Sequence, residues 1–289
     1  MTRAKLFGAR SRAVAFGASF AVACGIAGGA SLASPPGQTP WITSAHSKVR
    51  LVSGAVDAAG TTARYAGIQL RMDDGWKTYW RSPGDSGVPP GFDWSGSKNL
   101  KSADVFYPAP HRFAEASGTA IGYSDEVLFP VRLTPEREGE PIEFVVAFDY
   151  GLCMDLCIPN EVKLDLVLPA APAKGDALLI ESALARVPKR ARTETLPRVI
   201  AIEPDLEDAP PKLVIEAVFA PGAAATDLFV EADGTFVPVP KALAPLADGK
   251  QRFEVTFASA EEAAAIAGKS LALTLVSDLG SSETVWTAE

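Results

Sequence analysis

Residues 142–168, IEFVVAFDYGLCMDLCIPNEVKLDLVL, place two apolar runs on either side of a cysteine pair. In residues 163–168 apolar and polar side chains alternate, which is typical of a strand with one buried face. Residues 142–150 are rich in β-branched and aromatic side chains and also predict a strand. We therefore expect Cys153 and Cys157 to lie between two strands.

Short strands are also predicted before this stretch. Turn-forming residues such as Asp73-Asp74-Gly75 and the proline- and glycine-rich segment 82–91 separate them. The strands are expected at residues 49–56, 62–72, 104–107 and 127–133. Because no long amphipathic helix interrupts this series, residues 34–168 predict an immunoglobulin-like β-sandwich.

The rest of the chain predicts a second, smaller β-rich domain. Residues 169–198 are predicted to form a linker that contains a helix over 177–187, with Asp176 as its N-cap residue. Residues 199–289 contain six further strand patterns and a short helical segment at 261–267. The predicted fold class is therefore all-β, with a short helix-containing linker between two β-rich domains.

The first 33 residues have the layout of a cleaved secretory signal peptide: a basic start, an apolar stretch and a small-residue cleavage site. We therefore expect an exported protein without a membrane span in its mature chain. Cleavage would change the formal net charge from −8 to about −12, which argues against a nucleic-acid partner. It would also remove Cys24 and leave Cys153 and Cys157 as the remaining thiols, in a compartment where disulfides form.

The spacing of the two cysteines leaves three interpretations open. A disulfide requires the backbone to turn through residues 154–156, since cysteines four apart on an extended strand are about 13 Å apart. A structural disulfide that closes so short a loop would stabilise the fold only weakly. Cys153, Met154 and Cys157 could alternatively bind Cu(I). Zinc is less expected, because a closed site takes four ligands and the other candidates, His46 and His111, do not lie at a ligand-like spacing from the cysteines. The third interpretation is thiol–disulfide exchange.

The surroundings of the cysteines favour exchange inside a complex. Asp149 and Asp155 flank the pair, and no lysine, arginine or histidine lies within five residues on either side. Nearby carboxylates disfavour a thiolate, so we expect a dedicated partner protein to be needed. Tyr150 and a capping loop at 114–124, which carries Ile121 and Tyr123, are predicted to shield the sulfur atoms.

Three segments resemble a known family: WKTYWRSPGDSGVPP at 76–90, Gly122-Tyr123, and YGLCMDLCIP at 150–159. They are similar to the periplasmic N-terminal domain of the thiol:disulfide interchange protein DsbD, and more closely to ScsB-type relatives. The resemblance implies an immunoglobulin-like fold and a redox pair in which Cys157 forms the mixed disulfide and Cys153 resolves it. The aromatic residues of segment 76–90, including Tyr79, are expected to pack in the core.

The resemblance also implies a protein-disulfide reductase activity without a cofactor. Its implied partners are thioredoxin-like periplasmic proteins and a separate membrane electron donor, because no membrane region follows in this sequence. The resemblance to relatives of this type also implies a role in cytochrome c biogenesis or in copper tolerance.

Overall fold

The computed structural model describes residues 37–58, 60–115, 118–207 and 209–288. The predicted signal peptide lies outside the described residues. The described chain forms one compact unit that contains two β-sandwiches, which confirms the predicted all-β class. Within the described residues, no helix is long and apolar enough to span a membrane.

The first sandwich consists of eleven strands in two sheets. One sheet has the order β1-β2-β3-β9-β6, and the other has the order β11-β10-β4-β8-β7, with β5 also paired to β10. The strands are β1 (Ile42–Ser44), β2 (Ser47–Ala58), β3 (Thr61–Met72), β4 (Lys77–Gly84), β5 (Gly91–Asp93), β6 (Ser102–Val105), β7 (His111–Glu115), β8 (Gly118–Ser124), β9 (Glu126–Thr134), β10 (Ile142–Cys153) and β11 (Cys157–Leu168).

A cluster of aromatic rings joins the two sheets of the first sandwich. Phe129 on β9 is fully buried, and its ring centroid lies 5.9 Å from Phe92, 5.6 Å from Tyr123 and 6.2 Å from Phe148. Those three rings belong to the opposite sheet. Aromatic side chains contribute large apolar areas to such a core, so this cluster holds the sheets face to face.

One segment of the first sandwich differs from the sequence-based expectation. The described residues of the predicted loop 114–124 belong to the β-hairpin of β7 and β8, although their glycine, alanine and serine content is typical of a loop. Pairing with β4 extends it into the sheet. A side chain at position 122 would place its Cβ 1.9 Å from the Thr78 carbonyl oxygen, so Gly122 reflects close strand packing.

The second sandwich follows helix α1 and contains eight strands. Its sheets have the orders β12-β19-β18-β15 and β13-β14-β17-β16, and they enclose a separate apolar core. The elements are α1 (Ala177–Ala185), β12 (Lys189–Arg190), β13 (Arg198–Asp205), β14 (Lys212–Val218), β15 (Asp227–Ala232), β16 (Lys241–Ala242), β17 (Lys250–Thr256), α2 (Ala260–Ala264), β18 (Ser270–Ser277) and β19 (Gly280–Thr287).

Helix α1 packs on the first sandwich. Its buried Ile180 and Ala183 contact Val52 and Leu128 on the outer face of the first sheet. Asp176 is the N-cap residue of this helix, as predicted, but its side chain makes no capping hydrogen bond. The carboxylate instead accepts a hydrogen bond of 2.7 Å from Gln38 Nε2, because the chain before the helix is bound to strand β2.

We predict that Phe129→Ala lowers the free energy of unfolding by about 3–5 kcal/mol, since it removes the ring shared by both sheets and leaves a cavity. Urea unfolding followed by tryptophan fluorescence measures the loss. Val167→Ala on strand β11 is the control, because that side chain is 59% exposed and should change stability by less than about 0.5 kcal/mol. Equal effects of the two changes would contradict this assignment of the core.

Candidate functional site

The cysteine pair closes the end of the β10–β11 hairpin. The two strands pair in continuous register from Ile142 opposite Leu168 to Cys153 opposite Cys157. The cysteines form a disulfide, and their Cα atoms lie 4.1 Å apart. The backbone turns through residues 154–156, as the spacing predicts.

The two sulfur atoms lie in different environments. Cys153 is 4% exposed and packs in a small apolar cluster with Tyr79, Ala120 and Phe113. Cys157, by contrast, is exposed. A thiolate arriving from solvent therefore meets Cys157 first, while Cys153 is covered by β4 and by the β7–β8 hairpin.

Tyr79 contacts the exposed sulfur atom. Its hydroxyl oxygen lies 3.2 Å from Cys157 Sγ. A disulfide sulfur carries no hydrogen, so the tyrosine is the donor. Burial raises the pKa of Tyr79, and the charge of Glu115 raises it further, so the hydroxyl keeps its proton well into alkaline solution.

The sequence pattern did not indicate that Tyr79 lies in the site. All aromatic residues of segment 76–90 are expected from the sequence to pack in the core, and Trp80 is indeed fully buried in the main core. Neighbouring residues on a strand face opposite sides, so Tyr79 and Trp80 could not share one role. The alternation of side chains along the strand was the signal that could have separated Tyr79 from Trp80. It does not reveal which strand covers each face.

A charged pair lies beside the buried cysteine. Lys77 is the cross-strand neighbour of Cys153 in the β4–β10 pairing. Its Nζ lies 3.1 Å from Glu115 Oε1 and 5.2 Å from the centroid of the Phe113 ring. The side chains of Lys77 and Glu115 are 19% and 10% exposed. The site thus holds a lysine that the local sequence did not indicate, although a carboxylate balances its charge.

The three predicted shielding residues lie in different places. Tyr150 lines the groove beside Cys157, stacks on Phe148 with ring centroids 4.6 Å apart, and places its hydroxyl 2.9 Å from Ser47 Oγ. Ile121 and Tyr123, however, belong to the main core. The residues of the hairpin that cover Cys153 are Phe113 and Ala120, which are direct partners in the β7–β8 pairing.

An apolar surface surrounds the exposed sulfur atom. A groove of about 720 Å³ runs beside Cys157 and is lined on its apolar side by Val88, Ile158 and Pro159, among others. Val88 and Leu156 are 66% and 72% exposed. Exposed apolar side chains around a reactive group are typical of a protein-docking surface.

The two histidines considered as metal ligands form no described metal-binding group with the cysteines. Among the described residues, no group of three or more histidine, cysteine, aspartate or glutamate side chains could hold a metal ion. His46 stacks on Trp76 with centroids 4.1 Å apart, His111 begins strand β7, and Met154 is 45% exposed on the turn between the cysteines.

The chain is similar to known proteins both in sequence and in fold. Residues 52–169 match the family model described as thiol:disulfide interchange protein DsbD, N-terminal. The chain is also similar to the crystal structure of the N-terminal periplasmic domain of ScsB from Proteus mirabilis, with 22% sequence identity and a TM-score of 0.68. That similarity covers 88% of this chain and 99% of the other. No curated protein matches the sequence.

The two matches confirm the resemblance inferred from the sequence. The family match spans both strands of the cysteine hairpin, and the structural match extends over most of the chain, including the second sandwich. The segment that carries the cysteine pair is therefore similar to the DsbD N-terminal domain, and the fold of most of the chain is similar to that of the ScsB N-terminal periplasmic domain.

Proposed function

We propose that this chain is a periplasmic thiol–disulfide exchange protein that relays electrons between partner proteins through Cys153 and Cys157. The observation that carries the proposal is the disulfide with one exposed and one buried sulfur atom at the end of a hairpin. Such an arrangement presents a single sulfur atom to an incoming thiolate, which is what directed exchange requires.

Reduction of the pair follows from this geometry. A partner thiolate attacks Cys157 Sγ, the bond between the cysteines breaks, and Cys153 leaves as the thiolate. A second thiol of the partner, as its thiolate, then attacks the partner's own sulfur atom in the mixed disulfide and releases Cys157. Two electrons pass to the cysteine pair, the partner becomes oxidised, and the new thiolates take up protons from solvent.

Oxidation runs through the same sulfur atom. The Cys157 thiolate attacks one sulfur atom of an acceptor disulfide, forms a mixed disulfide with it, and expels the other acceptor sulfur as a thiolate. The Cys153 thiolate then attacks Cys157 Sγ, which restores the internal disulfide and expels the first acceptor sulfur as a second thiolate. The acceptor thus gains two electrons, and its two thiolates take up protons from solvent. In both directions Tyr79 stabilises the negative charge on Cys157, because a hydrogen bond to the charged form of a group favours that form.

A purely structural role for the disulfide has less support. The β10–β11 pairing already fixes the hairpin over its full length. A bond at its end encloses three residues and removes little conformational freedom from the unfolded chain. The disulfide is therefore better suited to reversible chemistry than to holding the fold.

The docking surface indicates what class of partner the site accepts. The apolar surface formed by Val88, Leu156 and the groove beside Cys157 suits a folded protein whose own reactive cysteine is set in an apolar surface. Thioredoxin-like periplasmic proteins and a separate membrane electron donor, as the resemblance implies, are the partners we propose.

A redox titration of the purified protein tests the exchange function directly. We expect a midpoint potential of about −180 to −270 mV, the range of proteins that exchange disulfides. The oxidised fraction can be followed by alkylation of free thiols in glutathione or dithiothreitol buffers. A disulfide that stays oxidised below about −300 mV would instead identify a structural bond.

The unequal exposure of the cysteines predicts their roles. Cys153→Ser leaves the exposed Cys157 free, and this variant should accumulate a mixed disulfide with a periplasmic thioredoxin-like protein. Cys157→Ser should accumulate much less, because Cys153 is covered. Electrophoresis without reductant separates the mixed disulfides; capture through Cys153 alone would show that the roles are reversed.

The hydrogen bond of Tyr79 predicts a change in thiol acidity. In the reduced protein, Tyr79→Phe should raise the pKa of Cys157 by about one unit, since a hydrogen bond to a charged group contributes about 1.5–3 kcal/mol. The ultraviolet absorbance of the thiolate as a function of pH measures this. Tyr150→Phe is the matched control, because its hydroxyl contacts Ser47 instead; an equal shift in both variants would refute the role of Tyr79.

The apolar surface predicts a difference between large and small reductants. Leu156→Ser should slow exchange with a thioredoxin-like protein about tenfold and leave exchange with dithiothreitol unchanged, because loss of an interface residue that contributes more than about 1 kcal/mol to binding changes an equilibrium constant by about that factor. Leu178→Ser on helix α1, where the side chain is 81% exposed, is the control. A Leu156→Ser variant that slowed both reductants equally would argue against docking at this surface.

A further inference from the structure

One face of strand β15 in the second sandwich contacts the cysteine-bearing sheet. Its residues Asp227, Phe229 and Glu231 lie two apart and therefore face the same side. Asp227 forms an ion pair with Arg112, and Glu231 forms one with Arg81. Between them, the ring centroid of Phe229 lies 5.7 Å from that of Trp80. Acidic and aromatic side chains of one sandwich thus meet basic and aromatic side chains of the other.

Arg112, which binds Asp227, lies on the hairpin that covers Cys153. Arg112 Nε lies 2.9 Å from Asp227 Oδ2, and its Nη2 lies 2.6 Å from Oδ1. The side chains of Arg112 and Asp227 are 29% and 21% exposed. A bidentate pair of this kind fixes the orientation of the two side chains as well as their distance. In the hairpin, the next cross-strand pair is Phe113 with Ala120, the two residues that pack on Cys153.

Arg81, which binds Glu231, lies on the strand that carries Tyr79. Arg81 lies two residues after Tyr79 on β4, and its Nη2 lies 2.8 Å from Glu231 Oε2; it also binds Glu283. Burial alone would lower the pKa of Arg81, but the two carboxylates outweigh it and raise the pKa. Among the ion pairs of the described residues, Arg81 and Arg112 form those that connect the two sandwiches.

We infer that the second sandwich is a clamp that holds the β7–β8 hairpin over Cys153 and so directs incoming thiolates to Cys157. This inference rests on the proposed exchange function. Attack on Cys157 releases Cys153 as the internal thiolate that can later resolve the mixed disulfide. Attack on Cys153 would bury the partner's sulfur under the hairpin and release Cys157 instead, so the clamp determines which sulfur atom reacts. Asp227 and Arg112 are positioning residues in this scheme.

Alkylation of single cysteines in the full-length chain tests the clamp. In a Cys157→Ser background, Asp227→Asn should increase the rate at which iodoacetamide modifies Cys153 by about tenfold, because a covered thiol reacts in proportion to the population in which its cover is open. In a Cys153→Ser background, the same change should leave the rate at Cys157 unaltered. Asp227→Glu, which retains the carboxylate, should restore protection of Cys153.

Asp104→Asn is the matched control, because Asp104 binds Arg132 on the other sheet of the first sandwich at 2.9 Å; it should change neither rate. Urea unfolding verifies that each variant is folded, and Arg112→Gln provides a second variant if Asp227→Asn does not fold. An unchanged rate at Cys153, or an equal increase at both cysteines, would overturn the inference.

The outcome is separable from that of the proposed function. If the midpoint potential identifies a structural disulfide while Asp227→Asn still exposes Cys153, the exchange function fails and the clamp stands as a packing feature without control of exchange. If the potential lies in the exchange range and the rate at Cys153 does not change, the inference fails and the proposed function stands.

Discussion

The continuous pairing of β10 with β11 is the constraint on which the site depends. It places Cys153 directly opposite Cys157, and the turn between them lets their Cα atoms approach to 4.1 Å. Because β10 is an inner strand and β11 an edge strand, the first cysteine is packed beneath neighbouring strands and the second faces solvent. The chemical difference between two identical side chains thus arises from their positions in one sheet.

The groups around the disulfide come from strands distant in sequence. Tyr79 and Lys77 belong to β4, and Glu115 belongs to the end of β7. Together they supply a hydrogen-bond donor to Cys157 and a charge-balanced pair beside Cys153. This composition suits a thiol pair that reacts within a protein complex, because it stabilises a thiolate at the exposed sulfur atom without placing an unpaired cation next to it.

The second sandwich also contacts the elements around the disulfide. Its sequence contains neither cysteine nor histidine. In the folded chain its strand β15 binds Arg81 and Arg112, which lie on the two elements that surround the disulfide. The clamp that we infer rests on these contacts and on the position that they give to the hairpin.

Alternation, turn residues and cysteine spacing are local properties, so they were enough to predict most of the strand pattern, the two-part β architecture and the cysteine pair. Long-range packing, by contrast, exposes Cys157, gives it Tyr79 as a hydrogen-bond donor, brings Lys77 beside Cys153, and turns Ile121 and Tyr123 toward the core. Alternation assigns a residue to one of two faces, but the strand or domain that covers each face is chosen by long-range packing. The role of each sulfur atom depends on that choice.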